Sequence, residues 1–419
     1  MNESKALITN DAVVLGILML ILAFVFYTSS KKTGFWAKFY SIIPSVFLCY
    51  LLPAVLNTFN IIRGDESGLY TITSRYLLPA CLVLFTIGID IPGLRKLGRK
   101  SIIMFLAGTF GIMVGGPLAL LIVGAAFPDI LTFGGEESWR GFSTIAGSWI
   151  GGGANQVALK EVFGASSNLF AQVVAVDIIV ANIWMGVLLF GTQYDAKINR
   201  WLKADNKEIK ELEAKMEAVA GAAENRKNGT RELMLLLGVG FALTGLAHLL
   251  ADILAPFFKE NYPATEAYSL TSTFFWIVVL ATTFGLILSF TRVRKMETMG
   301  ASNLGSVFLY VLVATIGMSM DLKALLENPK FFLVGILWML VHIIFMLLVA
   351  RLVKAPFFYV AVGSQANVGG AATAPIVAAA FNKYLAPVGV LMAVLGYAVG
   401  TYGGYLTGLF LQWVSNFLQ

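Results

Sequence analysis

Apolar residues along this chain run in long unbroken stretches, not in the alternating pattern of soluble strands or the one-faced stripe of soluble helices. A crossing of the bilayer takes about 20 residues of helix. Stretches of that length lie near 11–28, 37–57, 72–91, 101–126, 167–190, 233–256, 271–290, 301–320, 331–352 and 386–413. Two more, 141–160 and 356–380, are interrupted by glycine and small polar residues. Segment 191–232 breaks the pattern, with nine basic and eight acidic residues. It reads as a charged cytoplasmic linker without an apolar stripe. The expected organisation is therefore a first half, 1–190, with a hairpin near 141–160; the linker, 191–232; and a second half, 233–419, with a hairpin near 356–380.

Topology depends on whether the interrupted stretches turn back or cross. If both turn back and the N-terminus is outside, Lys31, Lys32, Lys38, Arg95, Lys96, Arg99 and Lys100 face the cytoplasm. So do the linker's basic residues, Arg292, Arg294, Lys295, Arg351, Lys354 and Lys383. Full crossing by both would carry the linker and the two later clusters outside. The positive-inside rule favours re-entrant hairpins, ten crossings and both termini outside.

The halves echo one another. Thr86-Ile87-Gly88 recurs as Thr315-Ile316-Gly317, each followed by an aspartate, Asp90 and Asp321. Gly152-Gly153-Ala154 recurs as Gly369-Gly370-Ala371, Ala175-Val176 as Ala393-Val394, and Gly186 as Gly404. Five crossings and one hairpin per half give the halves opposite orientations, an architecture of transporters. The expected fold is all-α and polytopic, with two inverted repeats.

Composition sharpens the picture. The chain is 58% hydrophobic and 13% charged, with a mean hydropathy of +0.78, against about 25% charge in soluble domains. Such a chain cannot hide its apolar surface in water, which excludes a soluble enzyme and a disordered chain. The net charge of +6 is scattered in short clusters between spans, which argues against a nucleic-acid partner. Cys49 and Cys81 lie singly in apolar spans, so neither a disulfide framework nor a thiolate metal site is expected. The first ten residues lack a basic n-region, and the first span is expected to stay as an uncleaved anchor.

Candidate chemistry concentrates in the interrupted stretches. The first carries Ser148, Gly152, Gly153, Asn155 and Gln156; the second carries Ser364, Asn367, Gly370 and Thr373. Glycine lets the chain turn at membrane depth, and the polar side chains satisfy freed backbone groups. Helices resuming after each glycine run point free N–H groups at a shared site, which suits an anionic substrate. Tight packing by small residues is the alternative. No lysine follows either glycine run, which argues against a nucleotide phosphate loop. Asp177 lies mid-span, with Asn182 five residues on; an intramembrane carboxylate points to a coupling site for sodium or a proton. A hydrogen-bonded aspartate that fixes a helix contact is the rival account. Asp90, Arg75 and Asp321 sit near span ends, and the two histidines, His248 and His342, suit packing or interhelical hydrogen bonds better than proton relay. Neither a zinc cluster, a serine elbow nor a redox cysteine pair appears, so enzymatic function and an organic cofactor are not expected.

The stretch from Ala146 to Lys160, Ala-Gly-Ser-Trp-Ile-Gly-Gly-Gly-Ala-Asn-Gln-Val-Ala-Leu-Lys, with Gly363 to Pro375, resembles the bacterial membrane family known as domain of unknown function 819. That family looks related to the cation–proton antiporter and anion transporter superfamily, which includes sodium–glutamate, hydroxycarboxylate and bile-acid symporters. The resemblance implies an elevator-type carrier in the bacterial inner membrane. It also implies a core domain holding both tips, a homodimer and sodium as coupling ion. By the same resemblance, the nine hairpin residues named above line the substrate site. Neither tip holds a basic residue, and only Asp177 is a deep acid, which departs from the antiporter pattern. The expected function is ion-coupled symport of a small organic anion, amino acid or short peptide. The alternatives are a cation–proton antiporter and a transporter-like sensor acting through the linker.

Overall fold

A computed structural model describes residues 6–40, 43–90, 93, 97–205, 207–220, 229–322 and 328–419. Arg95 and Lys96 of the basic cluster lie outside them. In chain order the helices are α1 (Asp11–Ser29), α2 (Gly34–Tyr40), α3 (Ser45–Thr58), α4 (Leu69–Ile87) and α5 (Arg99–Ala126). A hairpin of α6 (Trp139–Gly151) and α7 (Gly153–Phe163) follows, then α8 (Ser167–Gly191). The charged segment folds as α9 (Asp195–Leu202) and α10 (Lys207–Ala220). Beyond it come α11 (Thr230–Asn261), α12 (Thr273–Ser289), α13 (Ala301–Gly317) and α14 (Phe331–Val353). A second hairpin, α15 (Phe357–Val368) with α16 (Gly370–Phe381), leads into α17 (Ala386–Leu418).

Seven of these helices are long and apolar enough to cross a membrane, or up to nine when each bent pair counts as one span. Seven of the ten uninterrupted apolar runs fall on those helices; run 37–57 is divided between α2 and α3, and runs 271–290 and 301–320 fall on α12 and α13, of 17 residues each. Leucine, isoleucine and phenylalanine stay exposed along α1, α8, α11 and α14, which only a lipid environment favours. This is a multi-pass membrane protein.

Both interrupted stretches double back. Trp139 and Phe163 have ring centroids 5.3 Å apart, and Phe357 and Phe381 are 5.8 Å apart. Each pair is separated by 24 residues, which a straight helix would spread over about 36 Å. The hairpins enter from opposite ends of α5. At the Arg99 end, Tyr359 donates to the Leu97 carbonyl at 3.3 Å. At the Ala126 end, a 3₁₀ turn, Pro128–Leu131, leads on to the first hairpin, where the Ser138 N–H donates to the Leu131 carbonyl at 2.9 Å.

Two groups of helices pack within themselves. In one, α12 and α11 lie against α4, and α3 and α1 lie against α13. Its close crossings fall at Thr86, where Gly285 of α12 packs, and at Gly317, which packs on Tyr50 of α3. The other group gathers both hairpins with α5, α8, α14 and α17. Stacking of Phe85 on Tyr397, at 4.3 Å, joins the groups.

The linker corrects one expectation. Ile209 and Leu212 of α10 are buried, and Met216 packs beside them, so a narrow apolar stripe exists at i, i+3 and i+7. Two buried apolar positions among many charges are too few to register as a stripe in sequence. Asn199 of α9 accepts from the Phe357 N–H at 2.7 Å, capping α15, and Lys100 pairs with Glu208 at 3.0 Å. Helices α9 and α10 are docked at the foot of the second hairpin.

Candidate functional site

In the first hairpin, α6 ends and α7 begins at Gly152, whose φ of +80° only glycine adopts without strain. Three donors from the two arms converge on one carboxylate. Ser148 Oγ donates to Asp177 Oδ2 at 2.7 Å, Trp149 Nε1 to Oδ1 at 2.5 Å, and Gln156 Nε2 to Oδ2 at 2.8 Å. All four residues are buried. Among the described residues no ion pair reaches Asp177. The charge is thus held by dipoles alone, and both arms are tied to α8 through it. A cation or proton arriving there would compete with those donors.

Asn155 does a different job from Ser148 and Gln156. Its amide donates to the Gly151 carbonyl four residues back, at 2.9 Å, and to Tyr397 of α17 at 3.1 Å. Its oxygen accepts from Thr401. The side chain clips the hairpin to α17 and is not free for a ligand. Gly153 opens α7 and is half-buried; a Cβ there would lie 3.7 Å from Leu309 of α13 and meet nothing closer.

The second hairpin repeats that clip with other partners. Asn367 donates to the Gly363 carbonyl four residues back, at 2.9 Å, and to Phe105 of α5 at 3.0 Å, and accepts from Thr109 at 2.8 Å. In both cases the threonine stands four residues after the carbonyl partner, one turn along the neighbouring helix. Ser364 sits in a chain of hydrogen bonds. His342 Nδ1 lies 3.1 Å from the Gly108 carbonyl; that oxygen only accepts, so Nδ1 carries the proton and Nε2 is an acceptor. Ser364 Oγ, 2.8 Å from Nε2, therefore donates to it and in turn accepts from Trp184 Nε1 at 2.8 Å. Gly370 has a φ of +59°, and no atom lies within 4 Å of where its Cβ would be. Thr373 accepts from Gln365 Nε2 at 2.6 Å.

Asn182 stands apart. Its amide donates to the Ile178 carbonyl of its own helix at 2.7 Å. Five residues turn a helix by about 140° relative to Asp177, which places the two on different faces. His248 meets the Arg75 carbonyl at 2.9 Å, outside both hairpins.

Sequence reasoning missed several participants. Trp149, Trp184, Thr109 and Thr401 acquire roles only through partners distant in the chain, and Gln365 through Thr373 across the break. Lys160, 4% exposed, donates to Tyr70 Oη at 2.8 Å and Glu161 Oε1 at 3.1 Å, and Tyr70 donates to Glu161. This buried cluster fastens α7 to the start of α4. The adjacent Lys160-Glu161 pair was its only signal in the sequence.

A family model described as a protein of unknown function, DUF819, matches residues 16–414. The chain belongs to the DUF819 family. A relative, the "Uncharacterized membrane protein YjcL" of Bacillus subtilis (strain 168), is 25% identical over 362 residues, covering 84% of this chain and 85% of its own. The match to this DUF819 chain spans both hairpins and Asp177, so the hydrogen-bonded core described above lies wholly inside the family region.

Proposed function

We propose that the chain is an ion-coupled secondary transporter of a small organic anion, amino acid or short peptide, working by alternating access. One observation carries this proposal: two helical hairpins enter from opposite ends and present broken helices, beside a buried carboxylate, in one group of helices facing another. Broken helices at membrane depth serve transporters because they offer backbone dipoles to substrate and ion. The paired crossings, α12 on α4 at Thr86 and α3 on α13 at Gly317, fall on the recurrent Thr-Ile-Gly motif and support two inverted repeats. The hairpin group is then the moving core and the other group the scaffold of an elevator-type carrier. Substrate lies at Gly152, Gly153 and Gly370, with Ser148, Gln156, Ser364 and Thr373 around it. Asn155 and Asn367 hold the tips in shape.

Asp177 is the coupling carboxylate in this proposal, with sodium or a proton as its ion, because its occupancy alters the grip of Ser148, Trp149 and Gln156. The chain is a carrier and not an enzyme, works as a homodimer in the bacterial inner membrane, and keeps both termini outside. Coupling follows if solute and cation together favour the compact core that crosses between access states.

The test is uptake into proteoliposomes, preceded by thermal stabilisation of the purified protein with small carboxylates, amino acids and short peptides, with and without sodium. Sodium-dependent uptake of a stabilising solute, abolished by Gly153→Val, is the expected result. A Cβ at Gly153 would lie 3.7 Å from Leu309 and meet nothing closer, so the first carbon of the added side chain fits and its methyl groups fill the gap toward α13. Cation-driven proton movement with no organic solute would transfer the assignment to antiport. Unchanged sodium-dependent uptake in Asp177→Asn would remove the role given to that residue.

A further inference from the structure

We infer that the break of the second hairpin binds a monovalent alkali-metal cation, held by the side-chain oxygen of Gln365 with Thr373 and the last-turn carbonyls of α15. The role of this cation in coupling rests on the carrier proposal above, whereas its binding does not.

Gln365 is 1% exposed, and its Nε2 is occupied by Thr373 at 2.6 Å across the break. Its Oε1 is buried with no hydrogen-bond partner. Buried amide oxygens are almost always satisfied, so an orphan signals a missing group. The surroundings say which kind. Helix α15 stops at Val368, and carbonyls of a last helical turn have no partner within the helix. Among them, the Gln365 carbonyl is taken by the Gly369 N–H at 2.9 Å. The helix end carries partial negative charge. Beside it, nothing beyond the local backbone lies within 4 Å of the Cβ position of Gly370.

The break therefore offers an unpaired amide oxygen, a hydroxyl joined to the same amide across it, and the carbonyls of a helix end. Oxygen ligands select a hard cation. None of these ligands is charged, which suits a single positive charge; a divalent ion draws on carboxylates. Among the described residues no cluster of three His, Cys, Asp or Glu side chains could hold such an ion. The site is separate from Asp177, whose carboxylate is already engaged by three donors from the other hairpin.

The test is thermal unfolding of the purified full chain in sodium, lithium or potassium chloride against choline chloride at fixed ionic strength, with sodium gluconate as the anion control. A saturable shift that follows the alkali cation is expected. Gln365→Leu should raise the half-saturating concentration at least about tenfold, and Gln365→Glu should lower it about tenfold, since a charged acceptor binds a cation more strongly than a neutral one. Thr373→Val, which keeps shape and removes the hydroxyl, should weaken binding if Gln365→Leu fails to fold. Four results would overturn the site: no cation dependence, a shift that follows chloride, half-saturation unaltered in both Gln365 variants, or a shift sensitive to Asp177→Asn alone. Solute uptake indifferent to sodium, with the Gln365-dependent shift intact, would remove the coupling role and leave both the site and the carrier standing; a Gln365-dependent sodium shift without any transported solute would remove the carrier and leave the site.

Discussion

Trp139 against Phe163 closes the foot of the first hairpin, and Phe357 against Phe381 closes the second. In each, an asparagine amide bridges to the carbonyl four residues back and to a neighbouring helix, where a threonine completes the clip. The likeness ends at the breaks. The first is saturated from within, because Ser148, Trp149 and Gln156 all turn to Asp177. The second has no acidic side chain at its break; Ser364 joins a neutral imidazole chain, and the Gln365 oxygen is left over. Two hairpins with a common frame can thus divide the work: one supplies the donors that hold the Asp177 carboxylate of α8, the other an unfilled shell of neutral oxygens.

The division can be broken or sharpened by substitution, with purified protein unfolded thermally. The largest effect belongs to Asp177→Leu. It strands three buried donors and should cost about 4 kcal/mol, since each orphan carries a desolvation penalty of about 1–3 kcal/mol. Gly151→Val comes next, at about 3 kcal/mol, because a Cβ there would lie 2.5 Å from the Gly396 carbonyl and 2.6 Å from Gly400 Cα. Gly370→Ala, at the position that matches Gly153, meets nothing beyond its local backbone and should cost only the left-handed backbone penalty, about 1 kcal/mol. Equal losses at Gly151 and Gly370 would contradict the close approach of α6 to α17 at Gly151. Asn155→Ala and Asn367→Ala should each cost about 2 kcal/mol, and a large inequality would show that the two clips are not equivalent. The smallest effect is Ser364→Ala, about 1 kcal/mol, with altered tryptophan emission as Trp184 loses its acceptor.

Much of the frame was legible in the sequence. Long apolar runs announce crossings because lipid requires them, and Gly152 and Gly370 announce breaks because positive φ requires glycine. What escaped depends on distance in the chain. Asp177 stands 29 residues from Ser148 and finds the hairpin only on folding. Asn182 looked like its partner by proximity, yet helical rotation turns it away. Gln365 is informative only beside Thr373, and the docking of Ile209 and Leu212 is hidden by the charges between them.

Helix length has a consequence for the surrounding lipid. At 32 and 33 residues, α11 and α17 run about 48–50 Å, while α13, at 17 residues, spans about 26 Å. A hydrocarbon slab of about 30 Å cannot match all three at once. The long helices tilt or protrude, and the bilayer thins where α13 meets it, at a modest elastic cost per ångström. On the carrier proposal, α17 moves with the core past the scaffold helices α11 and α13, so acyl chain length would be a variable of turnover and not merely of solubility.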